Sequence, residues 1–338
     1  MVPARRTALR VALGLLVATG IVAVLLTVVG VEDVVDSLAA AEPTVLVGVV
    51  AAALCWLTAW GLSLYVGLRI LDVPTSAPRA VLAFTTVVFA NSVMPFAQLG
   101  GQPVAALFLS RTTRSEYETS LLATATVDSL NILPAGLFVL IGVGTLARSG
   151  PLDGGVGLAV ASVVGLSVAL PLLAYAAWRN RATAGRYGTR IGSAVGRVLR
   201  SVLPSRRLPS PGTIRERVGR FSAGLRRLRA NPRLLAVGFA LSLLGWVFFV
   251  TSFWLSLVAV GHRVPFGVVL LVVPTSMLAV VLPSPGGLGG VEAMLVFLTV
   301  SLAGIDPAGA LAAALVHRGA THLLPIVIGA GSLGVLGS

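Results

Sequence analysis

Five ionisable side chains stand inside the long apolar segments of this 338-residue chain: Asp128, Glu292, His317, Arg318 and His322. A charge held in hydrocarbon is expensive, so a functional role is the default reading for each. Glu292 belongs to "LPSPGGLGGVEAML" (282–295), where four glycines and two prolines interrupt an otherwise apolar run. "MPFAQLGGQP" (94–103) interrupts another in the same way. Backbone freed from a helix inside a bilayer must be paired or must line a wet cavity. After each break a fresh half-helix is expected, with Pro103 in the first turn of one and Glu292 in the first turn of the other. Unpaired N–H groups and positive dipole ends would then point at a common site. Gly100, Gly101, Gly287 and Gly289 would let a ligand approach that backbone, which suits an anionic group such as phosphate.

Each residue also carries a plainer reading. Glu292 is either a ligand-facing acid or a helix-start residue that satisfies local N–H groups. Arg318 is either the counter-ion of Glu292 or the partner of a lipid phosphate. Asp128 is either functional or a buried, hydrogen-bonded acid near Asn131. His317 and His322 are five residues apart, about 140° around an α-helix, so they form no metal pair and read as packed or hydrogen-bonded histidines. The single cysteine, Cys55, supports neither a disulfide nor a cysteine metal site. No nucleophile elbow, metalloprotease helix, P-loop or cofactor fingerprint occurs, so neither a metal nor a cofactor is expected.

The elements that must position these residues are membrane helices. The chain is 56% hydrophobic and 11% charged, with a mean hydropathy of +0.96, and several apolar runs reach the roughly 20 residues a spanning helix requires. Arginine placement sets the topology. Fifteen of the 25 basic residues, all arginine, fall between Arg179 and Arg233 with Glu216 as the only acid, which marks a cytoplasmic loop. Helix 1 (about 10–30) reads as a retained span rather than a signal peptide, because its apolar run is long for one. Helix 2 (44–67), helix 4 (118–147), helix 5 (155–178), helix 6 (234–260) and a last segment (307–336) complete about six spans. The segments 80–109 and 266–304 would be re-entrant hairpins, since half of either reaches only part way through a hydrocarbon core of about 30 Å.

This gives an all-α polytopic membrane protein of one transmembrane domain, 1–338. A unit of helix, re-entrant hairpin, helix occurs in it twice in opposite orientations, about 44–147 and 234–336, with both termini cytoplasmic. "LGGQP" at 99 is echoed by "LGGVE" at 288, and "ILPAGLFVLIGVG" at 132 by "LLPIVIGAGSLG" at 323. Chance similarity in Gly/Ala/Leu-rich sequence is the competing explanation, but such interrupted segments in corresponding places are also the sequence sign of a transporter's central site. In the 179–233 loop, Ile214, Val218, Phe221, Leu225 and Leu228 recur at helical spacing among arginines. That pattern reads as a basic amphipathic helix on anionic lipids of the inner leaflet, or else as a solvated topogenic loop. Nucleic acid is not an expected partner.

"NSVMPFAQLGGQPVAALFLSR" (91–111), "LPSPGGLGGVEAML" (282–295) and "AALVHRGATHLLPIVIG" (313–329) together resemble the lysylphosphatidylglycerol synthase transmembrane, or flippase-like, family. The resemblance covers nearly the whole chain. It places the first-tip glycines on Gly100 and Gly101, the second-tip residues on Pro283, Gly287 and Gly289, the acid on Glu292 and the late arginine on Arg318. Departures occur in the first half: Gln102 where many members have an acid, Ala105 where a basic residue is usual, and Ser129 rather than Arg after Asp128. The resemblance implies translocation of an anionic lipid, a phospholipid or a polyprenyl-phosphate-linked glycan, between leaflets of the cell membrane. It does not imply lysyl transfer, which in the synthases resides in a separate soluble domain; the Arg-rich loop of about 55 residues is too short for one. The substrate-binding set is therefore Gly100, Gly101, Gln102, Asp128, Pro283, Gly287, Gly289, Glu292 and Arg318. Two alternatives stay open. One is a non-transporting lipid-binding or accessory protein for a glycosyltransferase or lipid-modifying enzyme; the other is an intramembrane enzyme using Asp128 and Glu292 as acid and base.

Overall fold

A computed structural model describes residues 26–93, 102–148, 226–281 and 285–336, together with isolated positions at 19–21, 23–24, 162, 165 and 223–224. The first tip with Gly100 and Gly101, Pro283, most of expected helices 1 and 5 and nearly all of the Arg-rich loop lie outside these residues. Within them the chain is helical. A short helix, α1 (Val31–Ala39), precedes the long α2 (Pro43–Ile70), and α3 (Ala77–Val93) and α4 (Gln102–Thr113) lead to the long α5 (Tyr117–Ala147). The second half runs through α6 (Pro232–Ala259), α7 (Phe266–Ser276), two 3₁₀ turns (Met277–Val281 and Pro285–Gly287), α8 (Gly290–Ala303) and α9 (Pro307–Arg318). A π turn (Gly319–Leu323) then leads into α10 (Leu324–Leu336).

The two halves match in register. Pro43 and Pro232, Ile70 and Ala259, Ala77 and Phe266, and Ala147 and Leu336 all lie 189 residues apart. Packing repeats as well. The first long helices, α2 and α6, pack on each other. Then α5, which ends the first half, packs on α7, while α10, which ends the second, packs on α3. Glycines permit the two crossings. A Cβ on Gly142 would lie 2.7 Å from the backbone nitrogen of Leu271 in α7, and one on Gly329 would lie 2.5 Å from the carbonyl oxygen of Thr85 in α3. Close backbone approach through small residues is how helices associate where lipid tails compete for apolar contacts.

Among the described residues, four segments are long and apolar enough to cross a membrane: Pro43–Ile70, Tyr117–Ala147, Pro232–Ala259 and Pro307–Gly329. Their outer faces carry exposed Val47, Leu54, Ile132, Leu133, Leu137, Leu140, Ile141, Leu244, Leu323 and Val327. Such a belt would aggregate in water and is what lipid requires. The interior is closed by aromatic rings. Trp60 meets Trp56 and Trp246 at centroid separations of 5.4 and 5.7 Å, and its Nε1 donates to the Ser242 carbonyl at 3.2 Å, fastening α2 to α6.

The stretch 31–39 is a helix, α1, that buries Val34 and packs on α9. One local feature differs from the sequence expectation. At the end of the Arg-rich loop, Leu228 is buried in the protein core rather than turned to lipid. Beside it, Arg227 pairs with Asp72 at 3.2 Å and donates to the Leu71 carbonyl at 3.3 Å.

Candidate functional site

The interruption at 282–289 is built from glycine. Gly286, Gly287 and Gly289 take φ of 59°, 72° and 83°, a region that β-carbons disfavour. These torsions reverse the chain between the 3₁₀ turns and start α8 at Gly290. Glu292 is the third residue of α8. Its Oε2 accepts from the Gly289 N–H at 2.7 Å, satisfying one of the donors a helix start leaves open. Its Oε1 accepts from Arg318 Nε, also at 2.7 Å.

Arg318 is the last residue of α9 before the π turn. Besides Glu292 it donates from Nη2 to the Gly286 carbonyl at 2.9 Å, so one guanidinium holds both the start of α8 and the tip before it. The pair is buried, with Glu292 3% exposed and Arg318 9%. Glu292 also sits at a helix N-terminus, where the dipole favours an acid. Both plain readings of Glu292 and Arg318 are thus realised together: the acid caps a helix start and the arginine is its counter-ion.

The tip rests on α3. A Cβ on Gly286 would lie 3.2 Å from the Ser92 Cα in the last turn of α3. On its other side it would overlap the His322 ring, whose Nε2 would be 2.8 Å away. The second tip therefore packs on the helix that leads into the first. His322 reaches it from the π turn, where i→i+5 hydrogen bonding changes the angular spacing expected of an α-helix. A continuous α-helix through 317–322 was the wrong premise for the 140° separation of the two histidines. His317 lies away from the tip, its ring against Phe249 and Phe253 at 5.0 and 5.4 Å and its Nδ1 3.1 Å from Ser252 Oγ.

Asp128 does not join this group. It lies on an exposed face of α5, and α5 packs chiefly on α2, α4, α6 and α7 rather than on α8. Asn131, one turn further along α5, turns inward: its carbonyl accepts from Trp246 Nε1 at 3.0 Å and its Oδ1 contacts Ser242 Oγ. An acid and base pair of Asp128 and Glu292 has no support, since both Glu292 oxygens are engaged and the two helices are not packed together. In the 189-residue register Asp128 and Ser129 occupy the places of His317 and Arg318, so the ion pair belongs to the second half alone. Gln102 starts α4.

His322, Ser92 and Gly286 were not singled out from sequence as one group. Only the π turn and the α3–tip contact bring them together, and neither leaves a local signal.

Comparison with known proteins agrees with this architecture. Two proteins of Methanothermobacter thermautotrophicus, each described as a UPF0104 membrane protein, are similar along most of the chain. One is 28% identical over 278 residues, covering 80% of this chain and 77% of its own. The other is 23% identical over 328 residues, covering 96% and 95%. The family model of the lysylphosphatidylglycerol synthase TM region matches residues 11–329. With its long apolar helices, the chain is a multi-pass membrane protein and belongs to the lysylphosphatidylglycerol synthase transmembrane-region family.

Proposed function

We propose that the chain moves a lipid with an anionic headgroup between the two leaflets, at a site where the second tip meets the end of α3. The observation that carries this reading is the clamp of Glu292 and Arg318 on the broken, glycine-built backbone at 286–289, seated against Ser92. A cation held beside freed backbone inside an apolar bundle is a place for phosphate. At 11 and 14 residues, α7 and α8 extend about 17 and 21 Å, short of a core of about 30 Å, which favours a re-entrant hairpin over two spans. The matched halves favour an inverted repeat in which Gly100, Gly101 and Gln102 supply the facing tip, with Pro283 beside Gly287 and Gly289 in the second.

In this reading both termini and the 179–233 loop are cytoplasmic by arginine placement, and the loop meets anionic inner-leaflet lipids. Asp128, outside the clamp, faces the path of the lipid along α5. The purified protein, reconstituted in vesicles with headgroup-labelled phosphatidylglycerol or phosphatidylcholine, tests the reading through the fraction of label protected from an impermeant quencher. Faster exchange of the anionic lipid than of the zwitterionic one is expected. Binding without exchange would make the protein an accessory, and equal exchange in protein-free vesicles would remove the transport reading.

A further inference from the structure

The nine-residue helix α1 (Val31–Ala39) has two unlike sides. At about 100° per residue, Val34, Leu38, Val31, Val35 and Ala39 follow one another around one side, and Glu32, Asp36, Asp33 and Ser37 around the other. Val34, at one edge of the apolar arc, is 2% exposed and is the residue that α1 buries where it packs on α9. The rest of the arc is open, with Val31 50%, Val35 55% and Leu38 36% exposed. Both ends of α1 are tied to the membrane boundary. Only Ala40, Ala41 and Glu42 separate it from α2, and the Glu42 N–H donates to the carbonyl of Ala259, the last residue of α6, at 2.9 Å. At its other end Gly30, with φ of 101°, turns the chain after the exposed, apolar Val24 and Val28.

We infer that α1 is an interfacial helix whose partner is the lipid surface: Val31, Val35 and Leu38 enter the acyl boundary of the leaflet at which α2 begins, while Glu32, Asp33 and Asp36 stay in water. By arginine placement that leaflet is the outer one. Three observations select lipid as the occupant of the open face. The face continues, across the turn at Gly30, the lipid-facing row of Val24 and Val28. Its depth is fixed by the start of α2 and the end of α6, both long enough to span, so it lies at the level where hydrocarbon gives way to headgroups. The acids occupy the opposite arc, and one orientation alone keeps them hydrated while the valines and leucine leave water. No basic residue lies on α1, so apolar burial rather than attraction to anionic headgroups holds it there. Because Val34 packs inward from the same helix, α1 ties α9, the helix that ends in Arg318, to the membrane surface. The inference requires insertion in a bilayer and is independent of lipid transport.

Site-directed labelling of the full-length protein tests this. Cys55, the single cysteine, is exposed, so Cys55→Ala gives the background. Val31→Cys, Glu32→Cys, Val35→Cys, Asp36→Cys and Leu38→Cys are made one at a time, all at exposed positions, and each carries a small fluorophore after reconstitution in phosphatidylcholine vesicles. Two quenchers are compared: a doxyl group near the top of the acyl chain in both leaflets, and iodide on both sides of the membrane. At 31, 35 and 38 the doxyl lipid should quench at least about threefold more strongly than iodide, and at 32 and 36 the order should reverse. Equal access of iodide to all five positions overturns the inference. So does shielding of 31, 35 and 38 from both quenchers, which is what a protein partner seated on the face would produce. A failure of lipid exchange in the vesicle assay above would leave this inference standing.

Discussion

Replacing Arg318 by Met removes one side of a buried ion pair, and the structure sets the scale of the loss. Glu292 is 3% exposed and would keep one hydrogen bond, from the Gly289 N–H, with no cation beside it. Breaking a buried pair by deleting one partner costs about 3–5 kcal/mol, most of it the uncompensated charge. Gly286 also loses the donor to its carbonyl, about 1 kcal/mol more. Adding Glu292→Gln removes the stranded charge, and its amide oxygen still accepts from Gly289. The double variant should therefore recover most of the loss and sit roughly 1–2 kcal/mol below the wild type. Reversible unfolding in detergent or bicelles, run as a double-mutant cycle, should give a coupling of at least about 2 kcal/mol. Additive effects, with the double variant no more stable than Arg318→Met, would refute the view that these residues stabilise the tip as a pair.

Other substitutions test the surrounding geometry. Gly286→Val should destabilise by about 1–3 kcal/mol through overlap with the His322 ring and a disfavoured φ, and His322→Ala should relieve part of it in the same melt. Gly329→Leu would drive a side chain into the Thr85 carbonyl and Phe89, so the α3–α10 crossing should loosen and α10 should become more protease-sensitive than in the wild type. Ser252→Ala deprives the buried His317 Nδ1 of its partner at a cost of about 1–3 kcal/mol, measurable by thermal unfolding. Asp306→Ala removes both the Gly309 N–H cap of α9 and the 3.1 Å contact with His262, whereas His262→Ala removes only the contact. Unfolding should show the first losing about 1 kcal/mol more than the second.

The sequence was informative wherever physics acts locally. Gly/Pro interruption, arginine placement and apolar run length located the long helices and the second break to within a few residues, and Glu292 stands where an acid belongs at a helix start. The basic pairing of Arg318 was legible as one of two readings, because a buried arginine needs some anion. What was not legible depends on contacts between distant segments. The π turn at 319–323 has no composition of its own, yet it aims His322 at Gly286, 36 positions earlier in the chain. Leu228 fitted a lipid-facing pattern, but the core it enters is made by helices that the local pattern does not contain.

The double variant Glu292→Gln/Arg318→Met separates stability from transport and so tests directly whether the clamp moves lipid. Wild type and variant are reconstituted at equal, verified density, and exchange of labelled phosphatidylglycerol is followed after quencher addition. Rapid exchange is expected with the wild type and none above protein-free vesicles with the folded variant. Equal exchange by the two proteins would contradict this reading.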